Sequence, residues 1–221
     1  MALAAAPAPP LPPPPPSATA SRRALIVVDV QNDYFAGGAL PCAGAEAILA
    51  PINAAAAAAG PFGTVVLTQD CKPAASAWGA WPPHCVEGSR GQALHDGLAV
   101  PEGALRVRKS DTQSAFGPRP VPGAPPPPPS ALAEALRSRG VRDVVVCGLA
   151  LEYCVFSTAL GAADARFDSV VVVLEASRAY DAASARASPR GLADAAEAKF
   201  RETGVRVRVV QTFAEALAEG G

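Results

Sequence analysis

Runs of apolar, β-branched residues alternate along this chain with segments that have a helical pattern. The run at residues 24–28, Ala-Leu-Ile-Val-Val, has no polar member, which is typical of a strand buried on both faces of a parallel sheet. Strands that alternate with helices form parallel sheets with helices on both faces. We therefore predict an α/β fold with a doubly wound, mostly parallel six-stranded sheet, its strands at residues 24–28, 64–68, 104–107, 143–147, 169–174 and 205–210.

Composition predicts one globular domain preceded by a separate N-terminal segment. Of the 221 residues, 50% are hydrophobic, which is enough for a sizeable core. Residues 1–23 are rich in proline and alanine and contain no acidic residue, which indicates a disordered tail, with an organelle transit peptide as the alternative. Residues 24–221 are predicted to form a single domain, with the proline-rich segment 118–129 as a surface insertion.

Charge and cysteine content argue against several classes of function. The formal net charge is −1 and both signs are interspersed, so neither nucleic acid nor a membrane surface is an expected partner. Five cysteines at irregular spacings, without a CxxC pair, indicate neither a disulfide framework nor a structural zinc site. We expect a soluble intracellular protein, with the cytoplasm favoured, organelle import left open by the tail, and homo-oligomer formation also open.

Residues able to carry out chemistry follow four of the predicted strands. Asp29, Asp70 and Lys109 come after the first three, and a turn from Gly148 to Cys154 comes after the fourth. The carboxyl ends of parallel strands share one edge of the sheet, where ligands bind in such folds. Each residue alone is also typical of a helix cap or a solvated charge. Together they predict two acids, a cation and a thiol around one small pocket.

Cys154 opens the next helical pattern and is the candidate nucleophile. A cysteine in the first turn of a helix lies beside unpaired backbone N–H groups and the positive end of the helix dipole, so we expect a lowered thiol pKa. A buried cysteine that only packs is the alternative. A thiol nucleophile needs a base and benefits from a cation. Because both histidines lie in an irregular segment, the expected base is Asp29 and the expected cation is Lys109.

Four segments of the chain resemble the isochorismatase-like cysteine hydrolases, and within them the nicotinamidases. The most specific is Trp-Pro-Pro-His-Cys-Val-Glu-Gly at residues 81–88; the others lie at residues 29–40, 109–116 and 148–154. The resemblance implies the isochorismatase-like hydrolase fold. It also implies an amidohydrolase that converts nicotinamide to nicotinate and ammonia through a cysteine thioester, in NAD salvage.

The resemblance assigns roles to individual residues around the thiol. Asp29, Lys109 and Cys154 would form a catalytic triad. The peptide bond between Leu149 and Ala150 would be cis, which would turn the Ala150 N–H to join that of Cys154 in an oxyanion hole.

Three further residues are implied in substrate binding. Tyr34 and Trp81 would lie on the two faces of the pyridine ring, and Leu149 would also contact the substrate. For either aromatic residue, packing in the core is the alternative.

A divalent metal, zinc, iron or manganese, is the cofactor that the resemblance implies, and no organic cofactor is indicated. In nicotinamidases an Asp-x-His pair and the histidine of the Trp-Pro-x-His-Cys element hold it, and it binds the pyridine nitrogen. Asp70 and His84 match two of those ligands, but Lys72 stands where the first histidine belongs. Two protein ligands are fewer than a catalytic zinc site has, and a hard ion that keeps several water ligands stays open as an alternative. We expect the Lys72 ammonium to take the ion's place, pair with Asp70 and donate to the substrate ring nitrogen, with Cys71 or Cys85 as replacement metal ligands the alternative.

Two other functions stay open at this point. One is a metal-free cysteine hydrolase of the same fold that acts on another small amide, and the other is a member that binds a ligand with little turnover. A complete set of triad positions favours catalysis, whereas the incomplete metal set favours a changed substrate or a lower rate.

Overall fold

Six strands form one sheet in the computed structural model, which describes residues 21–57, 61–110, 112–121, 123, 125 and 127–218. All five neighbouring pairs are parallel. The order β3-β2-β1-β4-β5-β6 confirms the predicted doubly wound α/β fold. The bounds are β1 Arg23–Val28, β2 Thr64–Asp70, β3 Leu105–Lys109, β4 Asp143–Leu149, β5 Ser169–Arg178 and β6 Val207–Val210.

Helices connect most of these strands and cover both faces of the sheet. Within the described ranges they are α1 Leu49–Ala56, α2 Ala131–Ser138, α3 Phe156–Asp164, α4 Pro189–Thr203 and α5 Phe213–Ala218, with short 3₁₀ turns at Asn32–Tyr34 and Ala45–Ile48 and a π-helical turn at Leu151–Val155. Ser188 caps α4 by accepting the N–H of Gly191 at 3.0 Å, and Gly204 ends it in the left-handed conformation. No helix in the described ranges has both the length and the hydropathy needed to cross a bilayer.

The continuous apolar run of β1 divides its side chains between two cores. Ala24, Ile26 and Val28 pack on one face of the sheet with α2 and α3. Leu25 and Val27 pack on the other face, with residues of the Ala45–Ile48 turn and α1. Alternate residues of a strand point to opposite faces, so a strand covered on both sides needs apolar residues at every position.

The centre of the sheet is a topological switch point. From β1 the chain adds β2 and β3 on one side, then returns to place β4 on the other side of β1. Because the crossovers diverge there, a crevice opens beyond the carboxyl ends of β1 and β4. Asp29 directly follows β1, and the turn that carries Cys154 directly follows β4.

Some element boundaries differ from those predicted. β2 and β3 are longer than expected and end at Asp70 and Lys109, which lie opposite each other in the register. The helix after β4 begins earlier, as the π-helical turn Leu151–Val155. Of the predicted tail, residues 1–20 lie outside the described residues, and the described part of 118–129 contains no helix or strand. The division into tail, domain and insertion stays a prediction.

Candidate active site

The structure brings the three predicted catalytic side chains into contact at the switch point. Lys109 Nζ lies 2.6 Å from Asp29 Oδ2 and 3.3 Å from Cys154 Sγ. Asp29 is fully buried and Lys109 is 6% exposed, so both charges are taken out of water. A buried charge needs a partner, and here the carboxylate and the ammonium provide each other's.

Thr68 holds the Asp29 carboxylate in a fixed orientation. Its hydroxyl donates to Asp29 Oδ1 at 2.6 Å and accepts the Asp29 N–H at 3.1 Å. Asp29 Oδ2 is buried and lies 2.6 Å from the Lys109 ammonium, which leaves its second lone pair to accept a proton. Sequence reasoning missed Thr68. Its signal was a hydroxyl that directly follows the apolar run of β2 and lies two residues before Asp70, on the same face of the strand.

The thiol is protonated at rest, contrary to the expectation of a lowered pKa. Burial raises the pKa of Cys154 to about 12, and the Lys109 ammonium offsets this only in part because the Asp29 carboxylate raises it further. Cys154 is also the fourth residue of its helical turn and not the first, which weakens the dipole effect. Burial alone would lower the pKa of Lys109, but the Asp29 carboxylate raises it above its usual value.

The backbone around the thiol has the implied form. The peptide bond between Leu149 and Ala150 is cis, and Ala150 lines the cavity in front of Cys154. Leu149 does not line this cavity, because its side chain is fully buried in the core. The predicted substrate contact of the Leu149 side chain therefore has no support in the geometry.

Aromatic residues line much of the cavity, whose volume is about 180 Å³. That volume is below the roughly 300–1,000 Å³ of pockets for drug-sized ligands, which indicates a small substrate. Both predicted aromatic residues, Tyr34 and Trp81, line it. Tyr153 and Tyr180, which sequence reasoning missed, contact the Trp81 ring edge-on with centroids 5.7 and 4.9 Å away. Tyr153 lies within the segment 148–154 that carries the resemblance, whereas Tyr180 lies in none of the four segments.

The predicted metal ligands lie in the same cavity, with a lysine between them. Lys72 Nζ is 3.1 Å from Asp70 Oδ2 and 3.2 Å from His84 Nε2. Those two ligand atoms are 3.8 Å apart. A divalent ion bound to both would lie beside the ammonium, where like charges repel by about 4 kcal/mol per charge pair at 4 Å and an effective dielectric constant of 20. As they stand, these residues do not fit a divalent ion.

Neither Cys71 nor Cys85 completes a metal site with Asp70 and His84. Cys71 Sγ accepts a hydrogen bond from Arg108 at 3.1 Å, outside the cavity lining. Cys85 is fully buried and does not line the cavity either. Among the described residues, no group of three or more histidine, cysteine or acidic side chains could hold a metal ion.

Gln31 ties together the backbone that carries the acids. Its side-chain amide donates to the Asp70 carbonyl at 2.8 Å and to the Gln92 carbonyl at 2.7 Å, while its oxygen accepts the Asp70 N–H at 2.8 Å. Gln31 is fully buried. It therefore links the chain after β1 to the end of β2 and to the loop before β3.

Comparisons with known proteins agree with the four segments that carried the resemblance. An isochorismatase domain model matches residues 23–211. The nicotinamidase of Acinetobacter baylyi is 35% identical over 184 residues, which is 72% of this chain and 82% of that protein.

Two solved structures share the fold over nearly their whole length. The structure of PnC1 from L. infantum in complex with nicotinate has a TM-score of 0.69 and 34% identity, covering 87% of this chain and 97% of that one. The structure of the pyrazinamidase of Pyrococcus horikoshii in complex with zinc has a TM-score of 0.65 and 29% identity, covering 86% and 99%. With the family model matching most of its length, the chain belongs to the isochorismatase family.

Proposed function

We propose that the protein is a nicotinamidase, which hydrolyses nicotinamide to nicotinate and ammonia and serves NAD salvage. The observation that carries the proposal is the contact of Lys109 Nζ with both Asp29 Oδ2 and Cys154 Sγ, at 2.6 and 3.3 Å. A small aromatic-lined cavity in front of the sulfur suits a single-ring amide. The nicotinamidase of Acinetobacter baylyi and the nicotinate complex of the L. infantum protein support this substrate.

The first half of the proposed reaction forms a thioester. Asp29 Oδ2 takes the thiol proton as the Cys154 sulfur attacks the carboxamide carbon, and the carbonyl oxygen becomes an oxyanion. The N–H groups of Ala150 and Cys154 stabilise this oxyanion. Asp29 then gives the proton to the amide nitrogen, the C–N bond breaks, and ammonia leaves.

The second half releases the acid and restores the thiol. A water molecule gives one proton to Asp29 and adds to the thioester carbon, so that the C–S bond breaks. Asp29 returns the proton to the Cys154 sulfur. Throughout both halves the Lys109 ammonium stabilises the negative charge as it moves between carboxylate and sulfur.

A second candidate is a metal-free hydrolase of another small amide. The observation that favours it is the Lys72 ammonium between Asp70 and His84, where the resemblance implies a metal. Both candidates use the same proton transfer and thioester, and they differ only in the group that the cavity selects.

Ammonia release from a panel of small amides separates these candidates. Nicotinamide is expected to have the highest kcat/KM, ahead of pyrazinamide, benzamide and aliphatic amides. Cys154→Ala should lower the rate at least about 10³-fold. Cys147→Ala is the matched control, since it removes a fully buried thiol that does not line the cavity and should keep kcat. Faster release from another amide would favour the second candidate, and no release from any amide would contradict both.

A further inference from the structure

The Lys72 ammonium is built into the cavity wall. Its backbone N–H donates to the Cys85 carbonyl at 3.1 Å and its carbonyl accepts the Glu87 N–H at 2.9 Å, which anchors the residue from both sides. Its ammonium contacts Asp70 Oδ2 at 3.1 Å and His84 Nε2 at 3.2 Å, and the residue lines the cavity together with Cys154. Both of its partners are buried, at 4% and 5% exposure.

The hydrogen bonds of His84 determine which ring nitrogen accepts. Nδ1 lies 2.8 Å from the Pro82 carbonyl oxygen, and a carbonyl oxygen can only accept, so Nδ1 carries the proton. Nε2 is then an acceptor, and the Lys72 ammonium can only donate. The single acceptor lone pair of Nε2 is thus used by the Lys72 ammonium, and Nε2 cannot bind a metal ion at the same time.

Two of the three ammonium protons of Lys72 have hydrogen-bond acceptors, and the ammonium also lies over the Trp78 ring, 5.8 Å from its centroid. Asp70 and His84 take two, and within the described part of the chain no other side chain is in hydrogen-bond contact with this nitrogen. The side chain is 26% exposed. Because the nitrogen is tetrahedral and lines the cavity, its remaining N–H is available to a ligand bound in front of Cys154.

We propose that the Lys72 ammonium, fixed by Asp70 and His84, recognises the substrate by donating a hydrogen bond to an acceptor atom of its ring. The inference deepens the proposed function and rests on it: for nicotinamide the acceptor is the pyridine nitrogen. The protonated lysine performs in this chain the recognition that the resemblance assigns to a divalent metal. The site therefore requires an amide whose ring carries an acceptor, and it requires no divalent ion.

Benzamide, which has the shape of nicotinamide without the ring nitrogen, tests the recognition. Wild type should prefer nicotinamide over benzamide at least about tenfold in kcat/KM. Lys72→Met keeps the length of the side chain and removes its donors. This variant should lower kcat/KM for nicotinamide roughly 10–100-fold, mainly by raising KM. Its kcat/KM for benzamide should stay within about threefold of the wild-type value.

Arg90→Met is the matched control, because it removes a positive charge that is 84% exposed and outside the cavity lining. Arg90→Met should leave kcat/KM unchanged for both nicotinamide and benzamide. An equal loss for both amides in Lys72→Met would overturn the recognition by Lys72 while the proposed function stands. A wild-type protein that hydrolyses neither amide would overturn the proposed function itself.

Zinc content gives a readout that does not depend on turnover. Wild type dialysed against zinc and then against buffer should retain almost none, and its activity should survive a chelator. Lys72→His removes the ammonium and adds a third ligand beside Asp70 and His84, so this variant should retain about one zinc per chain. Stoichiometric zinc in wild type, with activity lost to the chelator, would overturn the proposal.

Discussion

A single proton has to pass between the Cys154 sulfur and the Asp29 carboxylate for attack to begin. Burial keeps that proton on the sulfur at rest and raises the pKa of Cys154 to about 12. The Asp29 Oδ2 lone pair and the Lys109 ammonium beside it lower the cost of moving the proton when substrate arrives. At the scale of the residue, the resting site therefore contains a protonated thiol beside a carboxylate base, and not a preformed thiolate.

The raised pKa predicts slow alkylation of Cys154 in the absence of substrate. At pH 8 the thiolate fraction would be about 10⁻⁴, against about one quarter for an exposed cysteine of pKa 8.5. Iodoacetamide should therefore modify residue 154 roughly 10³-fold more slowly than an exposed thiol. Because the thiolate fraction grows with pH, the rate should rise about tenfold per pH unit between pH 7 and 10.

Mass spectrometry with fragmentation of the peptide that contains Cys147 and Cys154 measures this rate, since the fragments show which of the two thiols is modified. The same peptide in urea-unfolded protein is the reference, since the thiol there titrates near its usual pKa. Fast modification that does not change between pH 6 and 9 would show a resting thiolate and contradict the prediction.

At the scale of the element, the sequence predicted all six strands. The four central ones contain an apolar run that is needed on both faces of the sheet, while the edge strands β3 and β6 have charged residues between apolar ones. The sequence placed the ends of β2 and β3 too early, because Asp70 and Lys109 look like loop residues when neighbours are unknown. Pairing across the sheet keeps both in strand, opposite each other. Charged residues at a buried strand end are tolerated here because each has an opposite charge within reach.

The end of β4 depends on a glycine. Gly148 has φ 120°, and a Cβ there would overlap the Val28 backbone of β1. Gly148→Ala should therefore cost more than about 4 kcal/mol in the free energy of unfolding, since neither backbone can move without breaking the β1–β4 pairing. Urea unfolding followed by circular dichroism measures the loss, or shows that the variant does not fold.

Gly140→Ala measures the cost of a positive φ alone, without an overlap between the new Cβ and a neighbouring backbone. Gly140 also has a positive φ of 74°, but no atom lies within 4 Å of a Cβ built there. This control should cost only about 1–2 kcal/mol. Similar losses in the two variants would mean that the Val28 contact contributes little and that the prediction is wrong.

At the scale of the whole molecule, the cavity is assembled from segments far apart in the chain. The triad positions could be predicted because each follows a strand at one edge of the sheet. Tyr153 and Tyr180 could not, since no periodicity or spacing distinguishes a tyrosine that faces a cavity from one that faces the core. The contact of Lys72 with His84 depends on how the loop after β2 returns to the sheet, which local pattern does not determine.

Gln31 is the residue that holds these segments together, and its loss should affect stability and turnover at once. Gln31→Met keeps the volume but removes three hydrogen bonds and takes the Gln31 partner from the Asp70 N–H and the Asp70 carbonyl, while the Gln92 carbonyl keeps its hydrogen bond from Gln69. Buried groups without partners cost about 1–3 kcal/mol each, so we expect a loss of at least about 2 kcal/mol in the free energy of unfolding. Since Asp70 positions Lys72 and pairs across the sheet with Lys109, both KM and kcat for nicotinamide should worsen.

Gln69→Met provides the matched comparison for that variant. Gln69 donates to the same Gln92 carbonyl at 3.0 Å, but it is only half-buried. Among the described residues, its side-chain amide forms no hydrogen bond with Asp29 or with Asp70. Its substitution should cost about 1 kcal/mol and leave kcat unchanged. Urea unfolding and steady-state kinetics on both variants distinguish the two residues. Equal losses of stability in the two variants, or a Gln31→Met enzyme with wild-type kinetics, would contradict the prediction. Either result would show that the positions of Asp29 and Asp70 do not depend on the Gln31 amide.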